Sequence, residues 1–105
     1  MDRLSGLFIP VFNSAPWDES WEKSWALERL TILYNSYKFC GFLAVDGEAI
    51  IGAAFSRLGS FMGELELEVV EMFVSGQHQR AGVGKSLVDA LEGFAIKNKI
   101  SALGG

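Results

Sequence analysis

Gln79-Arg80-Ala81-Gly82-Val83-Gly84 is the stretch of this chain whose residue types and spacing say most about chemistry. It runs into an amphipathic segment, Gly84 to about Asn98, with Leu87, Val88, Leu91, Phe94 and Ala95 on one face and Lys85, Asp89, Glu92 and Lys97 on the other. That pattern is helical. Two glycines at its start let the backbone wrap closely around a ligand, and the first N–H groups of a helix have no intrahelical partner. Such donors, at the positive end of the helix dipole, form an anion site suited to a pyrophosphate. Arg80 and Lys85 can add charge-assisted contacts. An ordinary glycine-rich turn before a helix has the same spacing. Two other phosphate loops are excluded. Gly84-Lys85-Ser86 imitates the end of a Walker A motif, but Gln79 stands where its first glycine belongs, and Leu87 stands where the dinucleotide fingerprint needs its third.

The elements around this loop follow from periodicity. Leu4 to Phe12 is apolar, but Gly6 and Pro10 leave its conformation open, and Asn13-Ser14-Ala15-Pro16 reads as a turn. Ser14 or Asp18 can cap a helix running from about Asp18 to Ser36, in which Ala26, Leu30, Leu33 and Tyr37 recur at helical spacing and Trp21, Trp25 and Ile32 widen the apolar face. Phe39–Val45 and Ala49–Leu58 are β-rich runs joined by Asp46-Gly47-Glu48, a hairpin signal. Gly59 to Gly63 reads as a second turn. A long strand then runs from Glu64 to about Val74. Glu64, Glu66 and Glu68 alternate with Leu65, Leu67 and Val69 until the Val69-Val70 doublet breaks the period. One β-bulge there would put Leu65, Leu67, Val70, Met72 and Val74 on one face and bring Glu71 onto the glutamate face. Ile100 to Leu103 opens a further strand after the helix. The expected class is α/β (α+β): a mainly antiparallel sheet flanked by helices, with the loop between a long strand and an amphipathic helix.

Composition narrows the rest. The 105 residues fit one domain, and 50% apolar with 21% charged excludes disorder. A net charge of −4 argues against nucleic acid or an anionic membrane and suits a cationic partner. The single cysteine, Cys40, makes no intrachain disulfide, which points to a reduced, cytoplasmic setting, and between Phe39 and Gly41-Phe42 it reads as a small hydrophobe rather than a nucleophile. No metal-ligand spacing is present, and no apolar run reaches membrane-spanning length.

The loop Gln79-x-x-Gly82-x-Gly84 fits the Gln/Arg-x-x-Gly-x-Gly/Ala signature, and with the preceding Glu71-Met72-Phe73-Val74 strand it resembles the acyl-CoA site of the GNAT-type N-acetyltransferases. Phe12-Asn13-Ser14-Ala15-Pro16-Trp17 before a Trp-rich segment is similar to one subgroup of that family, as is Gly41-Phe42-Leu43-Ala44-Val45 followed by Ile51-Gly52. The resemblance covers nearly the whole chain. It implies a partial GNAT fold over residues 1–105 and acetyl-CoA as co-substrate, with no metal. The pyrophosphate would lie on the N–H groups of Arg80, Ala81, Gly82, Val83, Gly84 and Lys85, beside Gln79. The pantetheine would pair with the backbone of Met72, Phe73 and Val74, where a strand N–H polarises the acetyl carbonyl. A primary amine, small-molecule or peptidyl, would attack the thioester directly.

Direct attack needs a proton acceptor. Glu71, flanking the bulge, is the first candidate and Glu68 the second, although a row of glutamates also reads as a solvated sheet face. His78 is a minor candidate. Trp17, Trp21 and Trp25, at spacings of four, read either as packing or as an aromatic wall of the acceptor pocket. The family's later helix, last strands and thiolate-protonating tyrosine have no counterpart here, and Tyr34 and Tyr37 lie in the wrong element. The alternative function is therefore a non-catalytic CoA-binding or interaction module. An open sheet edge at Ile100–Leu103 and a helix face bearing Leu87, Leu91 and Phe94 point to a homodimer.

Overall fold

The computed structural model describes residues 1–100 and the backbone of residues 102–104. Two helices, α1 (Asp2–Phe12) and α2 (Lys23–Tyr34), precede the strands β1 (Cys40–Asp46), β2 (Ala49–Phe61) and β3 (Glu64–Val74). A 3₁₀ turn over Gly76–His78 leads to α3 (Val83–Lys97) and β4 (Ala102–Gly104). The sheet order is β1-β2-β3-β4. The first three strands form an antiparallel meander, and β4 lies parallel to β3 after the α3 crossover. The expected fold class holds.

Two helical expectations need correction. Leu4–Phe12, left open by Gly6 and Pro10, is helical: Leu7, Phe8, Val11 and Phe12 are buried at the spacing of one helix face. Pro10 has no N–H for the carbonyl of Gly6, four residues back, yet so near the C-terminus it costs the helix only one bond. The second helix starts at Lys23, not Asp18. The side chain of Asn13 accepts from the Trp21 N–H at 2.8 Å and donates to the Trp21 carbonyl at 3.1 Å, which pins the connection outside any helix. Asp18, at φ 49°, lies in the left-handed region. Trp17 and Trp21 therefore share no helix face with Trp25.

The hairpins follow turn chemistry. Asp46 pairs with Ala49 across Gly47-Glu48, with Gly47 at φ 63°. The second turn is Met62-Gly63, both at positive φ, so β2 runs three residues beyond the expected Leu58. The bulge lies at the expected doublet: Ser56 pairs with Val69 and Phe55 with Glu71, leaving Val70 unmatched. Its faces differ in one respect. Val69 goes with Leu67 and Val74 toward α3, while Val70 joins Phe73 beneath α1 and α2.

Each sheet face carries its own core. Ala53, Phe55 and Phe73 meet Leu7, Phe8, Val11, Phe12, Ala26, Leu30 and Leu33 on one side. Ala54 and Leu67 meet Leu87, Leu91 and Ala95 of α3 on the other. The α3 face expected to cover a dimer contact is thus occupied within the chain, with Leu91 0% exposed. Gly52 permits this close approach, because a Cβ there would stand 2.9 Å from Val83 Cγ1 and 3.2 Å from Leu87 Cδ1.

Candidate active site at the β3–α3 junction

The end of β3 and the start of α3 are tied together locally. The Ser75 N–H donates to the Ile51 carbonyl at 2.8 Å, which keeps the chain on β2 one residue beyond the strand. The 3₁₀ turn reverses direction, and Gln79 Nε2 then donates back to the Val74 carbonyl at 3.2 Å. Arg80 (φ 66°) and Gly82 (φ 84°) take left-handed conformations, and Gly82 is the N-cap of α3.

No side chain caps this helix. Its first i→i−4 bond is Ser86 N–H to the Gly82 carbonyl at 3.0 Å, so the N–H groups of Val83, Gly84 and Lys85 precede any intrahelical partner. Nothing lies within 4 Å of a Cβ built on Gly82 or Gly84. An anion can approach these donors closely, and the cradle fits the pyrophosphate of an acyl-CoA. The structure modifies the expected donor set at Ala81, whose N–H turns back on the His78 carbonyl at 3.4 Å. Lys85 bonds Asp89 one turn along at 2.9 Å, and that carboxylate holds its ammonium above the ordinary lysine value.

Beside the cradle runs an open strand edge. Because Ser75 faces β2, alternation turns the N–H and C=O groups of Met72 and Val74 to the opposite side. β4 pairs only with Glu66, Leu67 and Glu68, so among the described residues no strand lies against Met72–Val74. Phe73 between them is buried. Two of the three expected pantetheine-binding positions, Met72 and Val74, thus present their backbone groups on an accessible edge leading to the helix start, whereas Phe73 pairs toward β2 and does not.

Glu71 sits at the bulge on the α1–α2 face, with its side chain 15% exposed. Arg29 of α2 reaches it: Nε donates to Oε2 at 3.0 Å, and Nη2 lies 2.9 Å from the same oxygen. Arg29 was not among the expected site residues. Its partner is 42 positions away, and no local pattern marks such a pair. Glu68, more exposed, is paired with its cross-strand neighbour Arg57 at 3.1 Å. His78 has a buried Nδ1 with no hydrogen-bond partner and its Nε2 3.9 Å from Asp46.

The three tryptophans sit in different surroundings. Trp21 packs edge-on against Phe8 at 4.9 Å as part of the core, while the half-exposed Trp17 lies against Phe12 at 5.3 Å. Trp21 and the more exposed Trp25 also line a cleft of about 260 Å³ with Glu28, Arg29, Ile32 and Leu33. A larger cleft, about 590 Å³, lies on the other shoulder of the loop, between α1 and Ser75–Gln79, and does not include the start of α3. Tyr34 stacks near Phe39, at the end of the sheet remote from the loop. Among the described residues no cluster of His, Cys, Asp and Glu is placed to hold a metal ion, and no helix is long and apolar enough to cross a membrane.

Comparison with known proteins agrees with this geometry. The profile of the family described as Acetyltransferase (GNAT) matches residues 7–103. No curated protein gives a significant sequence match. Among solved structures, the chain is similar to the aminoglycoside acetyltransferase meta-AAC0020 from an uncultured soil metagenomic sample, in complex with sisomicin. The TM-score is 0.71 at 23% identity, over 96% of this chain and 64% of that one. A GNAT family acetyltransferase of Staphylococcus aureus gives a TM-score of 0.76 at 16% identity, over 97% and 73%. The aminoglycoside acetyltransferase AAC(6')-Iy, bound to a bisubstrate analogue of CoA and acetylneamine, gives 0.68 at 16%, over 96% and 68%. The chain spans 64% of the length of the meta-AAC0020 enzyme.

Proposed function

The chain belongs to the GNAT acetyltransferase family, and from that premise we propose that it transfers the acetyl group of acetyl-CoA to a primary amine by direct attack. The observation that carries this reading is the continuity of two binding surfaces: the uncapped start of α3 and the open edge of β3, joined through Gln79 and Val74. The N–H groups of Val83, Gly84 and Lys85 hold the pyrophosphate. The Met72 and Val74 backbone groups align the pantetheine, and a Met72 N–H on that edge polarises the acetyl carbonyl. Acetyl-CoA itself supplies the activated acyl group as a thioester. The amine nitrogen forms the new C–N bond, the C–S bond breaks, and Glu71 takes the proton released by the amine.

The acceptor is a small-molecule or peptidyl amine. The acidic charge of the chain favours a cation, and two of the similar structures hold aminoglycoside ligands. The lone Cys40 fits a reducing, cytoplasmic location. The outer edge of β1, with Leu43 and Val45 exposed, fits a homodimer better than the α3 face does. The second reading, a CoA-binding module without turnover, is favoured by one observation: among the described residues no tyrosine lies at the open edge, Tyr34 stacking near Phe39 instead.

Calorimetric titration with acetyl-CoA, followed by turnover with aminoglycosides, polyamines, amino acids and peptide N-termini, separates these readings. Binding with turnover supports the enzyme, and binding alone supports the module. Absence of binding removes both. Light scattering on the same preparation reads the dimer.

A further inference from the structure

We infer that Arg29 is a positioning residue for Glu71, and that it leaves Oε1 of that carboxylate as the atom that receives the amine proton. The inference rests on the reading of Glu71 as the base. Both close guanidinium contacts, Nε at 3.0 Å and Nη2 at 2.9 Å, go to the single oxygen Oε2. No described residue hydrogen-bonds Oε1. A carboxylate gripped by one oxygen is fixed in rotation and keeps its other lone pairs open.

Both ends of the contact stand on rigid elements. Arg29 is bracketed by Ala26, Leu30 and Leu33, whose burial fixes the rotation of α2 about its axis. Glu71 follows the unmatched Val70 and pairs with the buried Phe55, so the bulge sets where its side chain emerges. The pair contributes little as a stabilising device, because Arg29 is 44% exposed and such pairs are screened by solvent. Its consequence is geometric: it holds a base on β3 directly beside Met72, whose backbone groups face the open edge. Arg29 also lines the cleft with Trp21, Trp25, Glu28 and Ile32, so the residue that grips Glu71 borders that cleft.

The test is a double-mutant cycle on the full chain, with the best amine from the panel as acceptor. Glu71→Gln is expected to lower kcat by roughly 10². Arg29→Met, which keeps an apolar stem, is expected to lower kcat about tenfold with KM for acetyl-CoA unchanged, since a displaced base loses its alignment. Arg29→Lys should recover part of that loss through one remaining donor. The double variant should be no slower than Glu71→Gln alone, because a positioning residue has nothing left to position. Losses that multiply, or an Arg29→Met enzyme with wild-type kcat, would overturn the inference while leaving Glu71 as base. A fully active Glu71→Gln enzyme, or a wild-type chain that acetylates no amine, overturns the base and the inference together. Circular dichroism confirms folding, and Arg29→Gln replaces Arg29→Met if the latter does not fold.

Discussion

At the scale of single residues, the two glutamates proposed for proton transfer differ in what surrounds them. Glu71 is largely shielded and oriented by α2, whereas Glu68 shares an exposed pair with Arg57 on the neighbouring strand. If Glu68→Gln rather than Glu71→Gln abolished turnover, the role would pass to Glu68. Cys40 gives a separate check on the residue-level reading. Burial pushes its thiol above the ordinary value of 9.0, with a Ser56 hydrogen bond opposing it more weakly. A raised folded value favours the protonated thiol, so this contribution to stability is present below pH 9 and fades as the pH rises through the folded value. Alkylation by iodoacetamide at pH 8 should therefore run slower than that of free cysteine, and an equal or faster rate would make Cys40 a reactive thiol after all. The position of Glu71 was legible in the sequence because Val69-Val70 interrupts a strict alternation. Arg29 was not, because its meaning depends on how α2 crosses the sheet.

Among the elements, the loop and α3 were the most legible, since glycine spacing and amphipathic period agree there. The entry into α2 was the least. Three tryptophans at intervals of four imitate a helix face, but the Asn13 side chain satisfies the Trp21 backbone and removes that segment from the helix. Similarly, Pro10 masks a helix whose apolar face is otherwise complete. The β3–α3 junction allows a paired test. Gly82 holds φ 84°, so a β-branched residue there strains the backbone as well as filling the cradle, and a loss of binding is ambiguous. Gly84 is already helical and open, so Gly84→Val should leave the fold intact while its side chain blocks the anion. Acetyl-CoA affinity in Gly84→Val should fall more than tenfold, or over ~1.4 kcal/mol, by calorimetry. Unchanged affinity in that folded variant would remove the loop from the binding site.

For the molecule as a whole, one sheet separates two cores that share only alternating residues of the same strands. The sequence conveyed this only in part. Alternation in β3 was readable, but which neighbour each face meets depends on the bulge, which sends Val69 to one core and Val70 to the other. The same register has a consequence for the exchange of backbone amide protons with solvent. Along the last turns of β3, the amide of Ser75 is locked onto β2, while those of Met72 and Val74 face the open side. Deuterium uptake should therefore alternate residue by residue, slow at Phe73 and Ser75 and fast at Met72 and Val74. Acetyl-CoA should slow the fast pair selectively, converting an every-other-residue pattern into continuous protection. Protection confined to the start of α3 would mean that the nucleotide end docks while the acyl arm never reaches the strand.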